Sequence, residues 1–287
     1  MTELGTISDE LGKMYDQTTP LSIALNDGQE HLAYWYGKDD DTTVFEAAQR
    51  ITRKVADTLY LRPGERLLDA GCGVGAPAVL VAKETGALVT GITVSAAQVA
   101  EGERRAFESG LSRSVRFERG DYQSIAYPDG SFDAIMAIES LMHAPDLDAV
   151  LAEFHRVLRP GGRLALSDCT REPGMSDDEF TQLSEAFKMH CLLTIPQWVE
   201  TLKRAGFVVE EYIQCGPRVY GMGLRYLDRA NELQDELVSD FGEEAIENLK
   251  QGYRNYFGAG GERMGYGIIA ARKPAEGRCC AKCGTTY

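Results

Sequence analysis

The sequence predicts an α/β protein built on a doubly wound sheet of seven strands, with a helical lid. Three observations predict it. From about residue 61 onward, short apolar runs alternate with amphipathic helical stretches, the texture of a sheet covered by helices on both faces. The run Leu67-Leu68-Asp69-Ala70 passes directly into Gly71-Cys72-Gly73-Val74-Gly75, a glycine loop joining a strand to a helix. Late in the chain the alternation breaks, where a charged helical stretch separates the last two apolar runs.

Taken in order, residues 1–60 carry few strand signals and read as helical. Apolar spacing predicts one amphipathic helix from Thr43 to Leu59, stopped by the Pro63-Gly64 turn. Strands are then expected at 66–71, 87–94, 114–121, 132–140 and 163–170. Helices are expected between them, one opened by Ser95 as its cap and another closed by Pro160-Gly161-Gly162. This strict alternation argues for a parallel sheet. A helix at 196–206 and a strand at 207–215 follow, then two or three helices over 216–261 and a last strand at 265–273.

The expected division is therefore a core at 61–215, completed by a final strand within 262–274. Residues 1–60 and 216–261 form the lid, with 172–194 as a candidate third piece, and a cysteine-containing tail occupies 275–287. Helices inserted between the last two strands are well placed to cover the strands' carboxyl edge.

Composition narrows the partners. The 287 residues hold 30 Lys and Arg against 44 Asp and Glu, a formal charge of −14. Such a field repels nucleic acid and anionic membrane surfaces, and leaves an uncharged or cationic small molecule compatible. The N-terminus is polar and no run approaches about 18 apolar residues, so a cytoplasmic chain is expected. Amphipathic N-terminal helices would suit a homodimer. Cys72, Cys169, Cys191 and Cys215 lie in or beside apolar segments, as reduced packed thiols do. In the tail, Cys280 and Cys283 form a C-x-x-C beside Cys279, but the second ligand pair that a zinc ribbon needs is missing, and no metal is expected.

The glycine loop is the sharpest feature. Its spacing, G-x-G-x-G, differs from the dinucleotide fingerprint G-x-G-x-x-G, and Asp69 ahead of it would not hold a pyrophosphate. A carboxylate there suits a ligand bearing an ammonium. Asp121, with Tyr122 beside it, ends the third strand, where a carboxylate can accept from an exocyclic amine. With the fourth strand running into Glu139 and the Pro-Gly-Gly turn before the fifth, these ordered segments resemble the class I methyltransferases.

That resemblance implies a Rossmann-like fold and S-adenosylmethionine as cofactor, held by Asp69, Gly71, Gly73, Asp121, Tyr122 and Glu139. One position departs from the commonest pattern of that family, which places Asp or Glu at the end of the second strand against the ribose. Here Thr93 stands there, in a Gly-Ile-Thr-x-Ser-x-x-Gln string resembling a branch with cyclopropane-fatty-acid synthases and antibiotic-pathway methyltransferases. In that branch Gln98 would reach the ribose; the bland alternative for Thr93 and Ser95 is strand packing and helix capping. Met14-Tyr15-Asp16, the segment His31 to Trp35 and the ending from Gly265 further resemble sugar O-methyltransferases of natural-product pathways.

Methyl transfer from a sulfonium needs alignment and exclusion of water, and an alcohol acceptor also needs a base. His143, following the fourth strand, is the candidate base. Asp168, ending the fifth, is the candidate group to orient it, and the resemblance carries over only these two, because its other histidine is Met142 here. Tyr15 and Trp35 would help close the pocket, Tyr15 beside the sulfonium. His190, Tyr220 and Tyr226 are candidate acceptor contacts, with helix packing as the alternative for the aromatic pair. Oxygen on a small metabolite is the expected acceptor. Carbon, nitrogen and a non-transferring cyclase on the same scaffold are the alternatives.

Overall fold

The computed structural model describes residues 3–258 and 263–275; the tail cysteines lie outside them. The chain opens with α1 (Glu3–Asn26) and α2 (Val44–Thr58), then enters β1 (Arg66–Ala70), α3 (Ala76–Thr85), β2 (Leu88–Thr93), α4 (Ala96–Glu108) and β3 (Val115–Arg119). It continues through β4 (Phe132–Ile138), α5 (Leu147–Val157), β5 (Leu158–Arg171), α6 (Asp177–Phe187), α7 (Ile195–Arg204) and β6 (Val208–Gln214). Four helices, α8 (Gly216–Val219), α9 (Leu224–Glu232), α10 (Gln234–Phe241) and α11 (Glu243–Gly258), precede β7 (Met264–Arg272).

The seven strands form one sheet in the order β3-β2-β1-β4-β5-β7-β6. Six of them, β1 to β6, run in one direction, whereas β7 is antiparallel to both of its neighbours, β5 and β6. The all-parallel expectation is thus corrected at one strand. The reason lies in the connection: β7 starts opposite Arg171, at the carboxyl end of β5, so the chain enters the sheet from the edge where β6 left it. Among its described residues the late helical stretch holds four α-helices and a 3-10 turn (Tyr220–Met222) rather than two or three helices, α8 being a single turn. β5 also starts earlier than expected, pairing from Leu158 through the Pro-Gly-Gly segment across an irregularity in register with β4.

Both faces of the sheet are packed. Leu67, Val89, Ala134, Met136 and Ala165 face α2 and α3 with Ile51, Val55 and Val81, while Leu68, Ile135, Leu164 and Leu166 meet α5 and α7 through Leu151, Phe154 and Trp198. Fully burying each of these larger side chains contributes on the order of 1.5–3 kcal/mol. A smaller cluster of Leu25, Ala230, Leu237 and Ile246 joins the end of α1 to α9, α10 and α11.

The middle of α1 is pinned elsewhere. Asp16 accepts from the Ser95 hydroxyl (2.5 Å) and the Ala97 N–H (3.1 Å) at the N-terminus of α4. Ser95 in turn caps that helix, accepting from Gln98 N–H at 3.0 Å. Ser95 thus both caps α4 and anchors α1. Among the described residues no helix is long and apolar enough to cross a membrane.

Candidate active site

A cleft opens at the carboxyl ends of β1, β2, β3 and β4, the edge where ligands gather in sheets of this kind. Tyr15, Asp69, Gly71, Gly73, Thr93, Gln98, Asp121, Tyr122, Glu139 and His143 all line it. Its floor is the glycine loop. Gly71 (φ +84°) and Gly73 (φ +51°) both adopt the left-handed region, where a side chain would be strained. A Cβ on Gly71 would overlap Ser140, and one on Gly73 would overlap the Glu30 carboxylate. Ser140 itself is fastened across the loop: its hydroxyl donates to the Ala70 carbonyl (2.7 Å), and its own carbonyl accepts from the Tyr122 hydroxyl (2.9 Å).

The electrostatics of the cleft are one-sided. Asp69 is buried and one of its oxygens has no hydrogen-bond partner among the described residues. Burial raises its carboxyl to about 8. Glu139, held by the Leu32 N–H (2.6 Å) and the Tyr266 hydroxyl (2.8 Å), is raised to about 8 by the same cause. Its backbone sits at φ +47°, a conformation that costs energy in a non-glycine residue and recurs at functional sites. Glu30 is likewise raised to about 7 by burial. Among the described lining residues there is no lysine or arginine, so these carboxyls await a cation rather than a phosphate.

A ligand with an ammonium and a sulfonium answers that deficit. The orphaned Asp69 oxygen and the two left-handed glycines fit S-adenosylmethionine: Asp69 would take the ammonium, the loop would admit close backbone approach, and Asp121 and Tyr122 would flank the adenine. Asp121 accepts from the Gln123 N–H at 2.8 Å, which holds its carboxylate at the end of β3.

Gln98 lines the cleft and is also bonded within the protein. It is buried, its carbonyl oxygen accepts from the Thr93 hydroxyl (2.6 Å), and its amide nitrogen donates to both Glu30 oxygens (3.1 and 2.9 Å). Both polar ends are thus engaged within the protein, the carbonyl oxygen keeping one lone pair.

His143 sits in a single 3-10 turn, Leu141–His143, after β4. Its ring is buried; Nδ1 lies 2.9 Å from the Lys188 carbonyl and Nε2 lies 3.0 Å from the Tyr15 hydroxyl. A carbonyl can only accept, so Nδ1 carries the proton and the Nε2 lone pair accepts from the Tyr15 hydroxyl at the wall of the cleft. Burial lowers the imidazole below its ordinary value, keeping it neutral. The expected Asp168–His143 contact is not made. Asp168 accepts instead from the backbone N–H groups of Met142 (3.0 Å) and Cys169 (2.8 Å), so it builds the turn that carries His143.

The acceptor contacts expected from the sequence are not brought to the cleft. Trp35 is fully buried, with Nε1–H donating to the Thr42 carbonyl at 3.0 Å and its ring edge-on to Tyr226. Tyr226 stacks on Phe257 at 5.3 Å, and the Tyr220 hydroxyl donates to Cys169 Sγ (2.8 Å) beside Tyr256. Helix packing is what these aromatics do here. His190 is exposed; its backbone N–H donates to the Met142 carbonyl (2.7 Å), which ties the α6–α7 linker to the His143 turn.

Sequence reasoning missed Glu30 and the Lys188 carbonyl. A carboxylate between Gln29 and the apolar Leu32-Ala33 pair was a usable signal for the first. A backbone carbonyl leaves none.

A model described as a methyltransferase domain matches residues 68–166. The chain is 34% identical over 280 residues to the methyltransferase GfsG of Streptomyces halstedii, covering 95% of this chain and 97% of that one. It is 33% identical over 269 residues to the 27-O-demethylrifamycin SV methyltransferase of Amycolatopsis mediterranei, covering 93% and 97%. Among solved structures, the [4+2]-cyclase SpnF superposes with a TM-score of 0.81 at 33% identity, covering 94% of this chain and 97% of that one.

Proposed function

We propose, for a chain that belongs to the class I S-adenosylmethionine-dependent methyltransferases, that the methyl group goes to a hydroxyl of a small natural-product-type metabolite, with His143 as general base. The observation that carries this reading is the neutral imidazole at the wall of the cleft, its Nε2 accepting from the Tyr15 hydroxyl that also lines it.

When bound, S-adenosylmethionine supplies a methyl carbon already activated by its positive sulfur. The chain's residues supply the rest. The glycine loop and Asp69 would hold one end of the cofactor and Asp121 another, leaving the Tyr15 side of the cleft for the acceptor. An acceptor hydroxyl that takes the place of the Tyr15 hydroxyl at His143 Nε2 would give its proton to that nitrogen as its oxygen is methylated, with the cofactor leaving as the neutral thioether. The Lys188 carbonyl stabilises the imidazolium that results. The 27-O-demethylrifamycin enzyme, named for an oxygen acceptor, supports the choice of oxygen.

A second reading is favoured by the cyclase relative, which is as similar in sequence as the methyltransferases. One experiment separates them: incubation with S-adenosylmethionine and a panel of hydroxylated polyketides, followed by mass spectrometry. A product heavier by one methylene, with matching S-adenosylhomocysteine, supports methyl transfer to oxygen. An isomerised product without S-adenosylhomocysteine supports the cyclase.

A further inference from the structure

We propose that Glu30 holds the ribose of the cofactor, supplying from the N-terminal lid the carboxylate that the end of β2 lacks. The inference rests on the cofactor and is independent of the acceptor.

Position comes first. In the sheet order, β3 ends at the Asp121 side of the cleft, β1 ends at Asp69 and the glycine loop, and β2 ends between them at Thr93. A ligand with its ammonium at Asp69 and its adenine at Asp121 must lay its sugar across that middle ground. The Glu30 carboxylate is there, against Gly73 on one side and bonded to Gln98 on the other.

Chemistry comes second. Two vicinal hydroxyls are best met by one acceptor group with two oxygens, and a carboxylate accepts more strongly than a neutral amide. Thr93 offers one hydroxyl that is already donated to Gln98, and Gln98 turns its amide nitrogen to Glu30, which leaves only one lone pair of a neutral carbonyl oxygen for a sugar hydroxyl. Glu30 accepts from the Gln98 amide and from the Val74 N–H, fewer donors than the roughly four that a carboxylate can take. It is not consumed by an ion pair among the described residues, since Arg105, whose charge reaches it, is paired with Asp27 (3.1 Å) and Glu101 (2.8 Å). Gln98 therefore acts as the positioning residue for Glu30. Because Glu30 follows α1, occupancy of the sugar site also fastens the N-terminal lid over the cleft.

The test is calorimetric titration of wild type and Glu30→Gln with S-adenosylhomocysteine and with its 2′-deoxy and 3′-deoxy analogues, with no acceptor present. Wild type should prefer the intact sugar, and Glu30→Gln should weaken S-adenosylhomocysteine by roughly 10- to 100-fold while weakening the deoxy analogues far less. Equal loss for all three ligands would overturn the proposal, and so would tighter binding by the variant, the mark of a carboxylate that merely plugs the cleft. Thermal melting of ligand-free protein guards the reading, because neutralising a buried carboxyl should leave the melting temperature unchanged or raised. If the variant folds poorly, Glu30→Asp, withdrawn by one methylene, must show the same selective loss.

Discussion

The Tyr15 hydroxyl lies 3.0 Å from His143 Nε2, while the opposite ring nitrogen lies 2.9 Å from the Lys188 carbonyl. The imidazole is therefore held between the first helix of the chain and the C-cap of α6, with its tautomer set by a backbone carbonyl rather than by a carboxylate. Two expectations follow for the reaction. His143→Ala should lower kcat by about 10²- to 10⁴-fold, the usual worth of a positioned base, with S-adenosylhomocysteine affinity retained. Tyr15→Phe should cost kcat less than tenfold or so, because burial and the nearby Glu30 and Glu139 raise its phenol above the ordinary range and make it a poor resting base. Steady-state kinetics on both variants beside calorimetry checks this; equal losses in kcat would instead make Tyr15 an obligatory relay.

The pH profile of the same base has a definite sign. Burial lowers the His143 imidazole below its ordinary value, so the active neutral form persists to lower pH than a free histidine would allow. The acid limb of kcat/KM should accordingly fall below the ordinary imidazole midpoint of about 6.5, and it should vanish in His143→Ala. An acid limb unchanged in that variant would assign the titration to another group.

Asp69 should report cofactor binding through protons as well as affinity. Its buried carboxyl, raised to about 8, is largely protonated in the ligand-free protein at pH 7. An arriving ammonium favours the ionised form, so binding S-adenosylhomocysteine near pH 7 should release protons. Titrations in buffers of different ionisation enthalpy measure that release. Asp69→Asn should abolish most of it and weaken binding by roughly 10- to 100-fold.

How far the residues announce this arrangement depends on what each one does. Asp69, Gly71 and Gly73 were legible because a glycine loop after a strand has a backbone reason for its spacing, and Asp121 and Glu139 because a strand end has a fixed edge. Those constraints are local. His143 was legible as a position but not as an oriented base, since its orienting partner is a main-chain carbonyl 45 residues away. Asp168 was found for the wrong contact: a strand-end carboxylate was expected to meet the ring, and it meets the N–H groups of the adjoining turn. Trp35, Tyr220 and Tyr226 share the composition of a substrate pocket with the composition of a helix interface, and only packing separates the two.

Asp168 should therefore behave as a positioning residue. Asp168→Ala leaves the buried Cys169 N–H and the part-buried Met142 N–H without this acceptor, at up to about 1–3 kcal/mol for the buried one. The melting temperature should fall. Asp168→Asn keeps one acceptor oxygen and should restore most of the stability while retaining kcat within about tenfold, an outcome that a direct proton-transfer role for Asp168 would not permit.

The ligand-free protein should lose stability as pH rises from about 4 to about 8. Glu30 and Asp168 are raised to about 7, and Asp69 and Glu139 to about 8, in each case chiefly by burial. A carboxyl raised in the folded state binds its proton more tightly there than in the unfolded chain. Its contribution is thus full below the unfolded value, near 4, and is lost as pH climbs through the folded value. A cationic ligand reverses the balance by favouring the ionised forms, so the stabilisation given by a fixed excess of S-adenosylmethionine should grow across the same window. Melting curves from pH 5 to pH 8.5, with and without cofactor, test both slopes. A ligand-induced shift that stays flat with pH would mean that these carboxyls do not face the cofactor's charge.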